Sequence, residues 1–198
     1  ETPGIDSDDH SFNLRGRVLY PRWDLDAGYQ EVGEQFNPEV GFLRRRAFRS
    51  VEGRYNLSYQ PVTSRWIRRI QPHVNYTAYF TLDNVLESSQ GHFHLFDIQT
   101  KSGARFGYLL ESAQDRPVRP FTVYQDVTGR RVVVPAGSYG WLRGVFEGHT
   151  NLSAPVSASL FHRVGQYYDG DYHGWSFTTA FRAGARLLSE VSWNRDDI

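Results

Sequence analysis

Apolar and polar residues alternate along most of this chain, and this period of two constrains the fold more than any other feature. The first clear example is the run WDLDAGYQ at residues 23–30, in which every second residue is apolar or aromatic. Similar runs lie at residues 51–59, 69–82, 175–183 and 187–194. Neighbouring residues of a strand point to opposite faces, so each run predicts a strand with one apolar and one polar face. No apolar stripe at helical spacing is found, and the predicted fold class is all-β, an antiparallel meander.

Turn-forming residues separate these runs and indicate short connections between antiparallel neighbours. The turn candidates are Tyr20-Pro21-Arg22, Gln60-Pro61, Lys101-Ser102-Gly103, Thr128-Gly129, Asp169-Gly170 and Ala183-Gly184. We count roughly ten to twelve strands in this pattern. We interpret residues 1–10 as a polar N-terminal segment and residues 11–198 as a single β-barrel-type domain, a fragment of a longer chain.

The residues at the polar positions favour a transmembrane-type β-barrel, of which the meander would form all or part. These positions carry Asn, Gln, Ser, Thr, Asp, His and Arg, whereas lysine occurs once in the chain, at Lys101. Aromatic residues lie near the ends of several runs, as at Trp23, Tyr59, Trp175 and Trp193. A wet interior and aromatic belts at the two membrane interfaces produce this distribution. The alternative is a soluble β-sandwich or lipocalin-like barrel, which the mean hydropathy of −0.55 favours.

Charge and cysteine content exclude or weaken several classes of protein. The 22 basic and 22 acidic side chains balance, so no excess of positive charge predicts a nucleic-acid partner. Cysteine is absent, which excludes a disulfide framework and a cysteine-based zinc site. No stretch approaches the roughly 18 consecutive apolar residues of a transmembrane helix.

Residues 36–46, FNPEVGFLRRR, interrupt the alternation with an Asn-Pro turn signal and three consecutive arginines. Together with Phe48-Arg49, this stretch resembles a signature of family 5916 of the bacterial domains of unknown function. The stretches PAGSY at 135–139, GQYYDG at 165–170 and SWNRD at 192–196 are similar to further parts of that family and come in the same order. The resemblance covers the chain from about Ser11 onward.

The resemblance implies an outer-membrane β-barrel, which in this family usually follows a carbohydrate-binding family-nine-like module that these 198 residues do not include. It implies a bacterial outer-membrane location, contact with outer-membrane lipid, and a glycan or other chains of an envelope complex as further partners. It supplies no catalytic residue and no cofactor. We therefore expect a non-enzymatic pore, receptor or scaffold linked to carbohydrate binding or uptake. The alternatives are a soluble glycan-binding β-sandwich domain and a glycoside-hydrolase-type enzyme.

Four aromatic residues near the C-terminus are candidates for ligand binding, because aromatic rings suit the apolar faces of sugar rings. They are Tyr167, Tyr168, Tyr172 and Trp175. The competing interpretation is an aromatic belt at a membrane interface or an exposed turn.

Six charged residues are predicted to form a cluster on the wet inner face. The cluster consists of Asp24, Asp26, Glu52, Arg44, Arg46 and Arg54. Arginine donates charge-assisted hydrogen bonds to carboxylates, so Arg44 or Arg46 would donate into the acidic face; contact with anionic lipid headgroups is the alternative. The three acids are also the only basis for the hydrolase alternative, since such enzymes use paired carboxylates.

His92 and His94 form an H-x-H pair, which is a weak candidate for a metal site. Residues i and i+2 of a strand share a face, so the two imidazoles could hold one ion. In a regular strand a third ligand such as Asp97 would point to the opposite face. The competing interpretation is a pair of interior or surface histidines without a metal.

Overall fold

The computed structural model describes residues 10–36 and 45–198, and these residues form thirteen β-strands. The strands are β1 Ser11–Leu19, β2 Trp23–Val32, β3 Phe48–Leu57, β4 Ile67–Ile70, β5 His73–Thr81, β6 Leu86–Thr100, β7 Arg105–Asp115, β8 Phe121–Gln125, β9 Arg131–Val134, β10 Tyr139–His149, β11 Val156–Tyr167, β12 Gly170–Ala183 and β13 Leu187–Asp197. Within these ranges there is no helix with the length and apolar character of a membrane span.

Eleven of the strands form one antiparallel sheet. Ten follow in the order β1-β2-β3-β5-β6-β7-β10-β11-β12-β13, and the short β4 pairs with β6 beside them. Strands β8 and β9 form a separate hairpin. The predicted all-β antiparallel meander is therefore confirmed, with slightly more strands than the sequence suggested. In the described part of the chain β1 and β13 each pair along one side only, so the sheet is not closed into a barrel.

The prediction of one long strand over residues 69–82 is wrong, because the chain breaks at Pro72. Strand β4 ends at Ile70 and pairs with β6, whereas β5 begins at His73 and pairs with both β3 and β6. Proline has no N–H to donate to a ladder and rarely lies inside a central strand. The carbonyl of Pro72 still accepts a hydrogen bond from the Leu57 N–H at 3.0 Å, which holds the break against β3.

Adjacent rows of the sheet have opposite polarity. One row crosses six consecutive strands as Asp26, Arg54, Asn75, His92, Glu111 and Arg143. The row beside it reads Leu25, Tyr55, Val74, Phe93 and Leu110. Because side chains alternate between faces, the first row lies on what we call the polar face and the second on the apolar face. The register thus keeps the two faces distinct across most of the sheet.

Exposure is largely inverted relative to a protein that folds around an apolar core, although a few apolar residues are buried, among them Leu109 and Val145 on the polar face. Large apolar side chains on the apolar face are exposed. They include Leu14, Val18, Leu25, Val51, Tyr55, Phe106, Leu142, Phe146, Val164, Phe177, Phe181 and Val191. The centre of the polar face, in contrast, contains polar groups that are at most 8% exposed, namely Asn56, His94, Asp97 and Glu147. Proteins in water normally expose charged groups and bury apolar ones.

Candidate functional site

Among the cavities of the described residues, two lie against the centre of the polar face. The first, of about 380 Å³, is lined from five neighbouring strands and the turn before β5 by Arg54, Asn56, Arg69, Gln71, His73, Asn75, Asp97, Gln99 and Arg105. The second, of about 640 Å³, includes His92, Glu111, Trp141, Arg143, Tyr167 and Tyr168 in its lining. Polar-face residues of several strands converge on each cavity, so this face is concave.

Three histidines meet between these cavities. His73 of β5 lies directly opposite His94 of β6, and His92 is two residues earlier on the same face. The ring centroids of His73 and His94 are 4.3 Å apart, those of His92 and His94 are 4.9 Å apart, and those of His73 and His92 are 5.6 Å apart. One ring nitrogen from each residue lies within 4.8 Å of the other two. The H-x-H pair is therefore extended to a triad by a residue of the neighbouring strand.

The hydrogen bonds of the triad leave nitrogen lone pairs available. Nδ1 of His73 lies 3.1 Å from the backbone carbonyl of Gln71. A carbonyl can only accept, so in the neutral imidazole Nδ1 carries the proton and Nε2 of His73 keeps a lone pair. His94 is 4% exposed, and neither of its ring nitrogens has a hydrogen-bond partner among the described residues.

A β-bulge brings Asp97 to the same face as the histidines. The register of β6 against β7 shifts between His94 and Phe96, which leaves Leu95 as the extra residue. Nδ1 of His94 and Oδ2 of Asp97 are consequently 3.8 Å apart. Asp97 would point to the opposite face only in a regular strand, and the bulge removes that condition.

Arg105 binds the two carboxylates beside His94. Its Nε lies 2.8 Å from Oδ1 of Asp97 and its second guanidinium nitrogen 2.9 Å from Oδ2, which is a bidentate pair. The same guanidinium lies 3.2 Å from Oε1 of Glu147, and that oxygen is 3.8 Å from Nε2 of His94. Glu111, which lies opposite His92, pairs separately with Arg143 at 2.9 Å. Two carboxylates thus share one guanidinium next to a buried imidazole.

An aromatic cluster borders the larger cavity. The ring of Tyr168 lies 4.6 Å from that of Trp141 and packs edge-on against Phe121, Tyr139 and Tyr167. Its hydroxyl donates to Oδ2 of Asp115 at 2.7 Å. Burial, together with the hydrogen bond to the Asp115 carboxylate, raises the pKa of Tyr168 well above its ordinary value. Two of the four predicted aromatic ligands, Tyr167 and Tyr168, therefore lie in one cluster.

Of the other two predicted aromatic residues, Tyr172 borders this cluster, with its ring centroid 6.4 Å from that of Tyr167, whereas Trp175 lies apart from it. Tyr172 is on the polar face, donates to the carboxylate of Asp196, and has the Arg143 guanidinium 5.0 Å from its ring centre. Trp175 is three residues further along β12 and so faces the apolar side, where it stacks on His162 at 3.9 Å. The structure does not bring Trp175 together with the tyrosines.

The predicted charge cluster is present in part, on strands β1 to β3. Asp26 lies opposite Arg54 and pairs with Arg15 at 2.9 Å, and Arg15 also reaches Glu52 at 3.5 Å. Asp24 accepts a hydrogen bond from Asn56 at 2.9 Å. Arg15 is not one of the six predicted residues, because the register between two strands cannot be read from the sequence of one of them.

The arginines of FNPEVGFLRRR contribute less than expected. Arg44 lies outside the described residues. Arg46 forms no ion pair with the three acids in the described ranges. Its neighbour Arg45 forms an ion pair with Glu87 at 3.4 Å, and the Arg45 guanidinium lies 4.5 Å from the centre of the Tyr79 ring. The three acids Asp24, Asp26 and Glu52 lie near the β1 edge, with arginine and amide partners.

Comparison of the chain with protein-family models, with curated proteins and with solved structures gives no match.

Proposed function

We propose that this sheet is the wall of an outer-membrane-type β-barrel whose interior is polar. The observation that supports the proposal is the inverted exposure: apolar side chains such as Leu142 and Phe146 are 50% and 42% exposed, while Asp97 and Glu147 are 8% and 7% exposed. A bilayer makes exposed apolar side chains favourable, and a wet lumen accepts hydrogen-bonded polar ones. The resemblance to the outer-membrane family leads to the same proposal.

Strand lengths agree with a bilayer-spanning wall. The ten consecutively paired strands have nine to fifteen residues each, from β1 and β5 at the short end to β6 at the long end. A tilted strand needs about nine to eleven residues to cross a bilayer. Typical strands of water-soluble domains have about five or six.

Aromatic pairs mark two levels on the apolar face. Tyr20 stacks on Trp23 at 4.6 Å where β2 begins, and Phe12 lies 6.1 Å from Tyr29 towards its other end. Trp23 and Tyr29 are six residues apart, which is about 20 Å along a strand. In a strand tilted by about 35–45° this is about 15 Å along the membrane normal, which lies within the apolar band of about 25 Å of outer-membrane barrels.

Closure of the wall is part of the proposal. The free sides of β1 and β13 need a partner strand, because unpaired backbone groups are costly in hydrocarbon. Either the two edges pair with each other in the membrane or further strands continue the sheet. The protein then acts as a non-enzymatic pore, receptor or scaffold in the bacterial outer membrane.

The proposal is tested by placing one arginine on each face. In lipid vesicles, Phe146→Arg is expected to lower the free energy of unfolding by up to about 2–4 kcal/mol, the cost of arginine near the bilayer midplane. Gln90→Arg on the polar face, where the side chain lines the larger cavity, is the matched control and should change stability little. Urea titration followed by tryptophan fluorescence measures both. Equal effects of the two variants, in a protein that purifies as a monomer without detergent, would contradict a lipid-facing apolar side.

A second candidate function is glycan binding in the larger cavity. The aromatic cluster around Trp141 and Tyr168 adjoins hydrogen-bonding groups that include Gln90, Glu111 and Arg143. This combination suits a sugar ring, which has apolar faces and polar edges. A glycan array should detect binding by the wild type and loss of binding in Trp141→Ala, with Trp175→Ala as a control on the opposite face. No binding by the wild type would remove this candidate.

A further inference from the structure

We propose that His73, His92 and His94 form a binding site for a late first-row divalent metal ion such as Zn²⁺. The inference depends on the geometry of the polar face and not on whether the apolar face meets lipid. Three imidazoles from two hydrogen-bonded strands converge on one point, with ligand nitrogens within 4.8 Å of one another. Imidazole is the nitrogen ligand that Zn²⁺, Cu²⁺ and Ni²⁺ prefer in proteins.

The spacing requires only side-chain movement to fit an ion. In a tetrahedral site with Zn–N bonds of about 2.0–2.1 Å, two ligand nitrogens are about 3.3 Å apart. Rotation of the imidazoles about their side-chain bonds can close the difference, because the backbone of β5 and β6 already places all three on one face. His73 and His94 are fixed opposite each other by the ladder, and His92 follows from the alternation of β6.

The groups behind the rings favour ligation. Ligating histidines usually donate their second ring N–H to a carbonyl or a carboxylate, which fixes the tautomer and orients the ring. His73 already has this arrangement, with Nδ1 3.1 Å from the Gln71 carbonyl. His94 has a carboxylate 3.8 Å from each ring nitrogen, from Asp97 on one side and Glu147 on the other. A small rotation gives it a carboxylate acceptor for one nitrogen and a free lone pair on the other.

Two further observations favour cation binding at the triad. Both nitrogens of His94 lack a hydrogen-bond partner among the described residues although the side chain is 3% exposed, and such buried orphans are uncommon. Asp97 and Glu147 also share the guanidinium of Arg105, so two carboxylates lie beside the imidazole. A divalent cation bound to the triad would satisfy one nitrogen of His94 and place positive charge next to the two carboxylates.

The position between two cavities makes the triad accessible. His73 lines the cavity of about 380 Å³ and His92 the cavity of about 640 Å³. Three protein ligands leave a fourth tetrahedral position open to water or another small ligand. The other close histidine pair of the described chain, His162 and His173, has two rings only and lies on the apolar face. We therefore place the metal at the triad.

The experiment measures Zn²⁺ and Co²⁺ binding to the purified, folded protein. One Zn²⁺ ion per chain is expected by calorimetry, and one Co²⁺ ion should give the visible absorption of a tetrahedral nitrogen site. His73→Ala and His94→Ala should each weaken binding by more than the roughly 10- to 100-fold that loss of a second-shell partner costs. His149→Ala is the matched control, since His149 is a single polar-face histidine that contacts Ser159. The Zn²⁺ affinity of His149→Ala should equal that of the wild type.

Two further variants separate loss of metal binding from loss of folding and from binding at the other histidine pair. His73→Asn retains a polar side chain and is used if the alanine variants fail to fold, as judged by their circular dichroism. The double variant His162→Ala/His173→Ala should bind one Zn²⁺ like the wild type. The inference is overturned if the wild type takes up no stoichiometric Zn²⁺, if His149→Ala weakens binding equally, or if binding follows the His162–His173 pair. These results do not depend on the Phe146→Arg and Gln90→Arg experiment, because here the measured quantity is Zn²⁺ affinity and there it is stability in lipid.

Discussion

His94 and Asp97 are three residues apart on β6 and yet face the same side of the sheet, with Nδ1 of the histidine 3.8 Å from Oδ2 of the aspartate. The bulge at Leu95 produces this relationship by adding one residue to the strand. Without it, Asp97 would point to the apolar face, away from Arg105. The polar centre of the sheet thus depends on a local irregularity in an otherwise alternating strand.

The carboxylates beside His94 are expected to tune metal affinity. Asp97→Asn and Glu147→Gln each remove a negative charge and a hydrogen-bond acceptor for the imidazole, and each should weaken Zn²⁺ binding by about 10- to 100-fold. Glu190→Gln, on the exposed edge strand β13, is the control and should leave the affinity unchanged. Calorimetry at constant pH provides the measurement. Unchanged affinity in both site variants would mean that the carboxylates only hold Arg105.

Much of the fold follows from the alternation, because it reports which face each residue occupies. The run at 23–30 lies within β2, and the run at 51–59 overlaps most of β3. Pro72 was overlooked because it sits at an apolar position of an unbroken period-two pattern, and only its missing N–H separates β4 from β5.

The candidate site was less predictable, because it depends on contacts between strands. H-x-H is visible in one strand, but His73 joins it through the register of β5 against β6, and no local signal specifies that register. A bulge such as the one at Leu95 likewise has no distinct sequence signature here. The sharing of Arg105 between Asp97 and Glu147 requires three strands to be in place.

Gly165 is expected to tolerate no side chain. Its φ is +151°, and a Cβ there would lie 2.7 Å from Cα of Arg143 and against the carbonyl of Leu142, both in the backbone of β10. Gly165→Ala should therefore lower the free energy of unfolding by about 2–5 kcal/mol through strain and overlap. Gly53→Ala is the control, because nothing lies within 4 Å of its Cβ position, and it should change stability by less than about 0.5 kcal/mol. Similar values for the two variants in urea titrations would contradict this close approach of β10 and β11.

Tyr168 occupies the first position of a two-residue turn with a φ of +56°, where glycine is the usual residue. Tyr168→Gly relieves about 1–2 kcal/mol of backbone strain but removes the ring from its aromatic neighbours. We expect a net loss of stability, because packing against Trp141 and Tyr139 outweighs the strain. Tyr168→Phe loses only the hydrogen bond to Asp115 and should cost about 1 kcal/mol. The fluorescence of Trp141, 4.6 Å away, follows both transitions, and a more stable glycine variant would refute the packing argument.

The β8–β9 hairpin is expected to lose order in acid because its turn depends on an ionised carboxylate. Oδ1 of Asp126 accepts hydrogen bonds from the Thr128 hydroxyl at 2.7 Å, the Thr128 N–H at 2.8 Å and the Arg130 N–H at 2.9 Å. These bonds lower the pKa of Asp126 below its ordinary value of 3.8, and the bond from the Thr128 hydroxyl has the largest effect. A lowered pKa contributes stability that is present above the ordinary value and is lost as the pH falls through the folded-state value. Amide hydrogen exchange in residues 121–134 should therefore be slow at pH 5 and, after correction for the intrinsic rate, lose protection below about pH 4. Asp126→Asn keeps an acceptor oxygen but has no charge to lose. The hairpin amides of this variant should therefore keep the same protection from exchange over this pH range. If the variant lost protection at the same pH as the wild type, another group would be responsible.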